Sequence, residues 1–226
     1  MEFVLSVIDR ILNVNARKVK KMKIYFDKST SSISDYEYMY DWEFGQLRTP
    51  LTQYAKGAFP WVLDNGCYSE FHEARFIRMM NDAIEDQNCQ WIVVPDVVGN
   101  HDRTLTRFNN WVEKHPIVLK KAAFVAQDGA SPSLIPWEDI VCLFIGGTDH
   151  FKDGIGAYQL ALEAKKRGKW VHVGRVNGMT RIINWFGVAD SIDGSGISKY
   201  KWMRERIVKD LKALHQYHQS TLDDWA

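Results

Sequence analysis

Short apolar runs alternate with longer segments of helical spacing along most of the chain. Each apolar run ends in a polar or glycine-containing turn, which is typical of a strand that gives way to a loop. Strands that alternate with helices form a parallel sheet, and eight strands can close that sheet into a barrel. The eight strands are predicted at Lys23–Phe26, Gly45–Thr49, Trp61–Leu63, Trp91–Val94, Ala122–Ala126, Val141–Ile145, Trp170–Val173 and Ser191–Ile192.

The segments between the strands and at both ends predict the helices. Phe3–Val14 is amphipathic and lies in an N-terminal helical extension over residues 1–22. Lys199–Gln219 carries an apolar stripe and should pack on the body as a C-terminal helix, followed by a loose tail up to residue 226. The chain is therefore predicted to be α/β, a single (β/α)8 TIM-like barrel domain over residues 1–226. Its other helices are predicted at Glu70–Asn88, Asp102–Lys114, Gly156–Arg167 and Met179–Phe186.

Composition narrows the classes of partner and of compartment. Lysine and arginine (29) nearly balance aspartate and glutamate (28), so any surface for a nucleic acid must be a local patch. The three cysteines, Cys67, Cys89 and Cys142, are scattered, which fits a reducing cytoplasm and argues against a zinc site built from cysteines. Glu2 stands where a signal peptide has positive charge, and no apolar run is long enough to span a bilayer. A cytoplasmic protein without a membrane partner is expected.

Polar and glycine residues follow six consecutive predicted strands. The carboxyl ends of barrel strands surround one mouth, so these residues predict a single pocket with three carboxylates and one carboxamide. Asp190 and Asp193 are three residues apart and point to opposite faces of the last strand, and Asp193 at its carboxyl end is the better candidate for chemistry. The residues predicted to line one cleft at this face are Asp64, Asp96, Gln127, Gly147, Gly174 and Asp193.

Each of these residues also has a purely structural interpretation. Asp64 and Asp96 can form turns, Gln127 can be a surface amide, and Tyr68 can be an aromatic at the edge of the core. Their occurrence in one ordered series favours the pocket. The histidines His101, His150 and His172 form no His-x-His pair, and we interpret them as structural or substrate-edge histidines, so that no metal and no cofactor is expected.

Taken in order, the motifs after the strands resemble those of the tRNA-guanine transglycosylase superfamily. The resemblance covers residues 23 to 198 and is greatest to the phage 7-deazaguanine DNA transglycosylases. The tRNA enzymes carry a zinc subdomain with a Cys-x-Cys-x-x-Cys set and a histidine, and this chain lacks it. That difference favours DNA over tRNA. The motifs are L-D-N-G-C-Y at 63–68, P-D at 95–96, V-A-Q-D-G at 125–129, I-G-G at 145–147, H-V-G-R-V at 172–176 and D-S-I-D-G-S at 190–195.

The resemblance implies a role for each carboxylate. Asp193 matches the nucleophile that attacks C1′ of a guanosine and holds the sugar as a covalent ester. Asp64 matches the acid/base group that protonates the departing base and takes a proton from the incoming one. Asp96 matches the carboxylate that accepts hydrogen bonds from N1–H and the exocyclic amine of guanine. The two catalytic carboxylates must be separate, because the group bonded to the sugar cannot also carry the proton.

The same resemblance assigns the remaining pocket residues to the base. Gln127 and the backbone N–H of Gly147, which follows Gly146, would contact the O6 side of guanine. The face of the base would be enclosed by Tyr68, Val173 and Gly174.

The expected activity is exchange of guanine in DNA for a free 7-deazaguanine base, of the preQ0 or preQ1 type, through a glycosyl-aspartate intermediate. DNA and the free base are the expected partners, and for a phage protein the compartment would be the host cytoplasm. Two alternatives stay open. One is a tRNA-type transglycosylase or a hydrolase of guanine nucleosides, and the other is a barrel that binds nucleic acid without catalysis.

Overall fold

The computed structural model of the protein describes residues 20–53 and 55–223. Eight parallel strands pair in chain order, and β8 pairs with β1, so the sheet is a closed barrel. The predicted fold class, an α/β protein with a (β/α)8 TIM-like barrel, is confirmed. The strands are β1 (Lys23–Phe26), β2 (Phe44–Arg48), β3 (Trp61–Leu63), β4 (Cys89–Val93), β5 (Ala122–Ala126), β6 (Cys142–Ile145), β7 (Trp170–Val173) and β8 (Ser191–Asp193).

The helices connect the strands and cover the barrel. Most of the predicted helices begin and end within three residues of their predicted positions. The helix at 3–14 lies outside the described residues. Within them the α-helices are α1 (Thr30–Tyr40), α2 (Glu73–Glu85), α3 (His101–Lys114), α4 (Asp149–Lys152), α5 (Ile155–Lys166), α6 (Met179–Trp185), α7 (Ser195–Lys199) and α8 (Lys201–Asp223).

Alternation along the strands divides the core into two layers. Inward side chains fill the barrel with aromatic rings, among them Tyr25, Trp91 and Phe144. Outward side chains pack against the helices and form the larger layer. Gly45 is required beside the inner layer, because a side chain there would collide with the ring of Tyr25. The barrel interior is therefore a packed floor beneath the carboxyl ends of the strands.

Helix α1 was not predicted from the sequence. Its segment, T-S-S-I-S-D-Y-E-Y-M-Y, is rich in serine and has little helical periodicity. Two features stabilise it in the fold. The side chain of Ser29 caps its first turn by accepting a hydrogen bond from the N–H of Ser32. The buried side chain of Ile33 then fixes the helix to the body.

The C-terminal helix is longer than predicted. As expected from the stripe, Ile207 and Leu211 are buried against the body, with Met203 and Leu214 packed beside them. The tail was predicted to be loose from residue 220 onward, and this is wrong up to Asp223, because α8 continues through that residue. No helix within residues 20–53 and 55–223 has the length and apolar character needed to cross a membrane.

Candidate active site

A cavity of about 480 Å³ opens at the carboxyl ends of the strands. Its volume is in the range of ligand pockets, and its position is that of the reaction site in barrel enzymes. The fold brings eight of the nine predicted site residues together in its wall. These are Asp64, Tyr68, Asp96, Gln127, Gly146, Gly147, Gly174 and Asp193.

Val173 is the exception, and its predicted contact with a base is wrong. Its side chain is fully buried in the outer layer, between the sheet and the helices. Because side chains alternate along β7, the inward position belongs to its neighbour, His172. The next residue, Gly174, does line the cavity, and a side chain there would collide with the ring of Phe144. The cavity wall directly after β7 is therefore backbone.

Asp193, the last residue of β8, is held by two hydrogen bonds to its carboxylate. The backbone N–H of Arg175 donates to Oδ1 at 2.9 Å. Nε2 of His172 lies 2.9 Å from Oδ2, and because an ionised carboxylate only accepts, Nε2 carries the hydrogen. Each oxygen then keeps a lone pair for another partner. Asp193 is thus an oriented anion in the cavity wall, as a carboxylate nucleophile must be.

His172 is itself fixed by a chain of hydrogen bonds. Nε1 of Trp170 donates to Oγ of Ser191 at 2.7 Å, and that hydroxyl lies 2.9 Å from Nδ1 of His172. When the hydroxyl of Ser191 donates a hydrogen bond to Nδ1, every donor and acceptor in this chain has a partner, and the imidazole is the neutral form with its hydrogen on Nε2. The ring lies against Tyr25, Trp91 and Phe144. The sequence predicted a structural or substrate-edge histidine here, and the inward register of β7 is the feature that directs its ring to Asp193.

Asp96 and Gln127 form one hydrogen-bonded unit with Asn65. Asn65 Nδ2 donates to Asp96 Oδ1 at 2.8 Å, and Gln127 Nε2 donates to Oδ2 at 2.5 Å. Both amides are anchored from behind, Asn65 by the Val94 carbonyl and Gln127 by the N–H of Gly99. Burial raises the pKa of Asp96, and the two amide hydrogen bonds oppose that rise. The unit presents a rigid acceptor edge, and Asn65 was not singled out in the sequence.

Asp64 is a carboxyl whose pKa lies near neutrality in the fold. Desolvation in the cavity is the main cause that raises its pKa to about 7. The hydrogen bond from the N–H of Gly66, at 2.8 Å, opposes the rise, and the nearby charges of Asp193 and Asp96 add to it. A carboxyl with a pKa near neutrality can release and recover a proton at physiological pH. Asp64 therefore has the properties of an acid/base group.

Arg175 and Tyr68 meet across the mouth of the cavity. The guanidinium carbon of Arg175 lies 4.3 Å from the centroid of the Tyr68 ring, and its Nη2 donates to the carbonyl of Gly147 at 2.6 Å. The strands before them, β7 and β3, are four apart in a ring of eight and so lie on opposite sides. Arg175 has a φ of 58°, which is costly for a residue with a side chain. No motif in the sequence predicts this contact between Arg175 and Tyr68.

Asp190 has a structural role outside the cavity. It forms an ion pair with Lys165 at 2.6 Å and accepts a hydrogen bond from the backbone N–H of Val171. The ion pair joins the end of α5 to the turn before β8. Cys67, beside Asp64, is a thiol whose pKa burial raises to about 11, so it is not an activated nucleophile.

Comparison with known proteins assigns the chain to no family, since no protein-family model matches it and no curated protein is similar to it. The fold alone does not select a chemistry, because TIM-like barrels carry many different reactions. Within the described part of the chain, no three histidine, cysteine or acidic side chains are grouped so that they could hold a metal ion. The arguments for a function therefore rest on the three carboxyls of the cavity and their partners.

Proposed function

We propose that the protein is a glycosyltransferase that exchanges guanine in DNA for a free 7-deazaguanine base. The observation that carries the proposal is the pairing of two unlike carboxyls in one cavity: Asp193, which is oriented by two donors, and Asp64, whose pKa is about 7. Base exchange at a sugar needs one carboxylate that bonds to carbon and a second one that carries a proton. The motif resemblance supplies the choice of base and of polymer.

In the first half of the reaction, a carboxylate oxygen of Asp193 bonds to C1′ of the target nucleotide. The bond from C1′ to N9 of guanine breaks, and its electron pair leaves with the base. Asp64 donates its proton to the departing base and becomes a carboxylate. In the second half Asp64 takes the N9 proton of the incoming base. N9 then attacks C1′, and the ester electrons return to Asp193, so both carboxyls regain their starting states.

The unit formed by Asn65, Asp96 and Gln127 supports selection of a guanine-like edge. The N1–H and exocyclic amine of guanine are two donors side by side, and Asp96 faces the cavity with acceptors only. The anchored amide of Gln127 has a second hydrogen for the O6 side. A 7-deazaguanine carries the same hydrogen-bonding edge, so one binding position serves both bases. Adenine presents the opposite donor and acceptor pattern at position 6 and is rejected.

The decisive experiment measures both the product and the intermediate. The protein is incubated with a guanine-containing oligodeoxynucleotide and isotope-labelled preQ0 or preQ1, and the digested DNA is analysed by mass for the modified deoxynucleoside. Without the free base, a protein–DNA adduct that resists denaturant should accumulate, and its mass shift should map to Asp193. Asp193→Ala should lose the adduct, whereas Asp190→Ala should keep it.

Three results would contradict the proposal. An adduct in the Asp193→Ala variant would remove the proposed nucleophile. Release of guanine with an abasic sugar and no incorporation would indicate a hydrolase that uses water as the acceptor. Binding of DNA with neither product nor adduct, under conditions where the fold is intact, would indicate a barrel that binds nucleic acid without catalysis.

A further inference from the structure

Two large aromatic side chains are exposed next to the cavity. Helix α7 ends at Lys199, which lines the cavity, and the chain continues K-Y-K-W into α8. Tyr200 is 52% exposed and Trp202 is 59% exposed. Their rings stack on each other at 6.2 Å between centroids, with 29° between their planes. We call these two residues the aromatic rim.

The aromatic rim is attached to a rigid part of the fold. Arg204, one turn into α8, is buried and donates to the carbonyl of Ile197 and to the hydroxyl of Tyr36. Its guanidinium also lies 4.2 Å from the centroid of the Tyr36 ring. These contacts fix the start of α8 against α7 and α1. The rings of the aromatic rim are therefore presented at a set position instead of being free to collapse into the core.

Two lysines line the cavity, and one of them adjoins the aromatic rim. Lys199 is the last residue of α7 and Lys28 follows β1, and the strands before them, β8 and β1, are neighbours in the barrel. Within residues 20–53 and 55–223 neither ammonium group forms a salt bridge, whereas Lys201 pairs with Glu205 at 3.7 Å. The charge of Lys28 acts on the neighbouring Asp27, whose pKa it lowers against the larger rise from burial. Lysines beside stacked aromatic rings are complementary to a chain that carries both phosphates and flat bases.

We propose that the aromatic rim stacks unpaired bases that flank the target nucleotide, while Lys199 and Lys28 contact the adjoining phosphates. The identity of the target rests on the proposed function. A base inside a duplex cannot reach the floor of a barrel, so the target must be extruded or its strand must be single. Aromatic faces stack any base, and lysines follow the backbone. The partner is thus an unpaired segment of DNA, and the recognition at the rim does not depend on sequence.

The binding test uses fluorescein-labelled single-stranded DNA with one central guanine, titrated by anisotropy at several salt concentrations. The Tyr200→Ala/Trp202→Ala double variant should bind about 10- to 100-fold more weakly than the parent. Lys199→Gln should reduce the slope of log affinity against log salt by about 0.7, the value for one lost phosphate contact on a single strand. Binding should quench the tryptophan fluorescence of the parent more than that of the double variant, which lacks Trp202 among the nine tryptophans of the chain.

Tyr38→Ala is the matched control. Tyr38 is 93% exposed on α1 and does not line the cavity. Its loss should leave the affinity unchanged. All these side chains are exposed, so thermal unfolding should show that the variants fold like the parent.

Equal affinity of the double variant and the parent would overturn the inference, and so would tighter binding of a fully paired duplex than of the single strand. The inference would also be overturned if the parent did not bind single-stranded DNA at low salt and bound a protein or peptide through the rings of Tyr200 and Trp202 instead. Strand binding through the aromatic rim without any adduct would overturn the proposed function and leave this inference standing. An adduct that forms equally well in the double variant would overturn this inference and leave the proposed function standing.

Discussion

The carboxyls on the two sides of the cavity have different partners. On the side of β3 and β4, Asp64 receives a backbone hydrogen bond and faces other carboxylates, and its pKa is raised to about 7. On the side of β7 and β8, Asp193 receives hydrogen bonds from His172 and Arg175. Residues of one type thus acquire different chemistry from the groups around them. Under the proposed function, this difference separates the group that moves a proton from the group that bonds to carbon.

The largest effect is expected from replacing Asp193. Asp193→Asn keeps the size of the side chain but removes the charge and the nucleophilic oxygen pair, so exchange should fall by a factor on the order of 10⁴ or more. Single-turnover kinetics with labelled base measure the change. A variant that retains even one tenth of the parent rate would show that the well-oriented side of the cavity does not supply the nucleophile.

Replacing Asp64 should change both the rate and its dependence on pH. Base departure needs protonated Asp64, so the rate should fall above pH 7, by up to tenfold per pH unit, because its pKa is about 7. Asp64→Asn should be slower by about 10²- to 10³-fold at neutral pH, with that pH dependence lost. A pH profile of single-turnover rates checks this, and an unchanged decline above pH 7 in the variant would assign it to another group.

The pH dependence of stability tests the raised pKa of Asp64 independently of catalysis. The pKa of Asp64 is raised in the fold from 3.8, so the native state keeps a proton that the unfolded chain has released. The free energy of unfolding should therefore fall as the pH rises from about 4 to about 7. Asp64→Asn removes this decline and should be more stable than the parent at pH 8, by on the order of 1 kcal/mol after allowance for the partial exposure of Asp64. Urea unfolding at pH 4 and pH 8 measures it.

Asp96→Asn tests the recognition edge. The variant presents an amide donor to the donors of guanine and removes the charge, which should cost about 2–3 kcal/mol in selectivity, or roughly 30- to 150-fold. The amide also faces Asn65 and Gln127, which already donate to Asp96, so stability should fall by about 1–3 kcal/mol while the fold persists. Competition between guanine and adenine for the parent and the variant checks the first effect. Unchanged discrimination would mean that Asp96 does not contact the base.

His172→Phe tests how much orientation contributes on the other side. Phenylalanine fits the cage of Tyr25, Trp91 and Phe144 but donates no hydrogen bond to Asp193. The chemical step should slow by about tenfold, with base binding unchanged, because only the position of the nucleophile is affected. Slower chemistry should appear in the rate of adduct formation. A proportional loss of base affinity would instead point to a general disturbance of the cavity.

Asp190→Ala should have the smallest effect. It removes the ion pair with Lys165 and the hydrogen bond to Val171, so a loss of about 1 kcal/mol in stability is expected, with adduct formation retained. The two aspartates are three residues apart, and only Asp193 lines the cavity. A loss of the adduct in a stably folded Asp190→Ala variant would contradict this division of roles.

Sequence alone was enough for the parts of the molecule that follow from periodicity. Strand and helix alternation predicted the barrel, and the polar turns that end the strands predicted that Asp64, Asp96 and Asp193 would share one cavity. Val173 was misplaced because a turn motif does not show which residue of the preceding strand points inward. Helix α1 was missed because its stability comes from packing and a serine cap, which leave little periodicity in the sequence.

The partners of the carboxyls were harder to predict. Asn65, His172 and Arg175 act through contacts between strands that are far apart in the chain, and such contacts leave no local pattern. The hydrogen bond from His172 to Asp193 depends on the register of β7 against β8. The bridge from Arg175 to Tyr68 depends on closure of the barrel, which brings opposite turns within reach of one another.

The unit of Asn65, Asp96 and Gln127 also bears on the order of events during turnover. Both oxygens of Asp96 are held by anchored amides, so the cavity has one fixed acceptor edge and one binding position for a base. Under the proposed function, guanine must dissociate from that position before the incoming base can bind there. Initial rates should then give parallel lines in double-reciprocal plots, and free guanine should compete with the incoming base for the covalent intermediate and convert that intermediate back to the starting DNA.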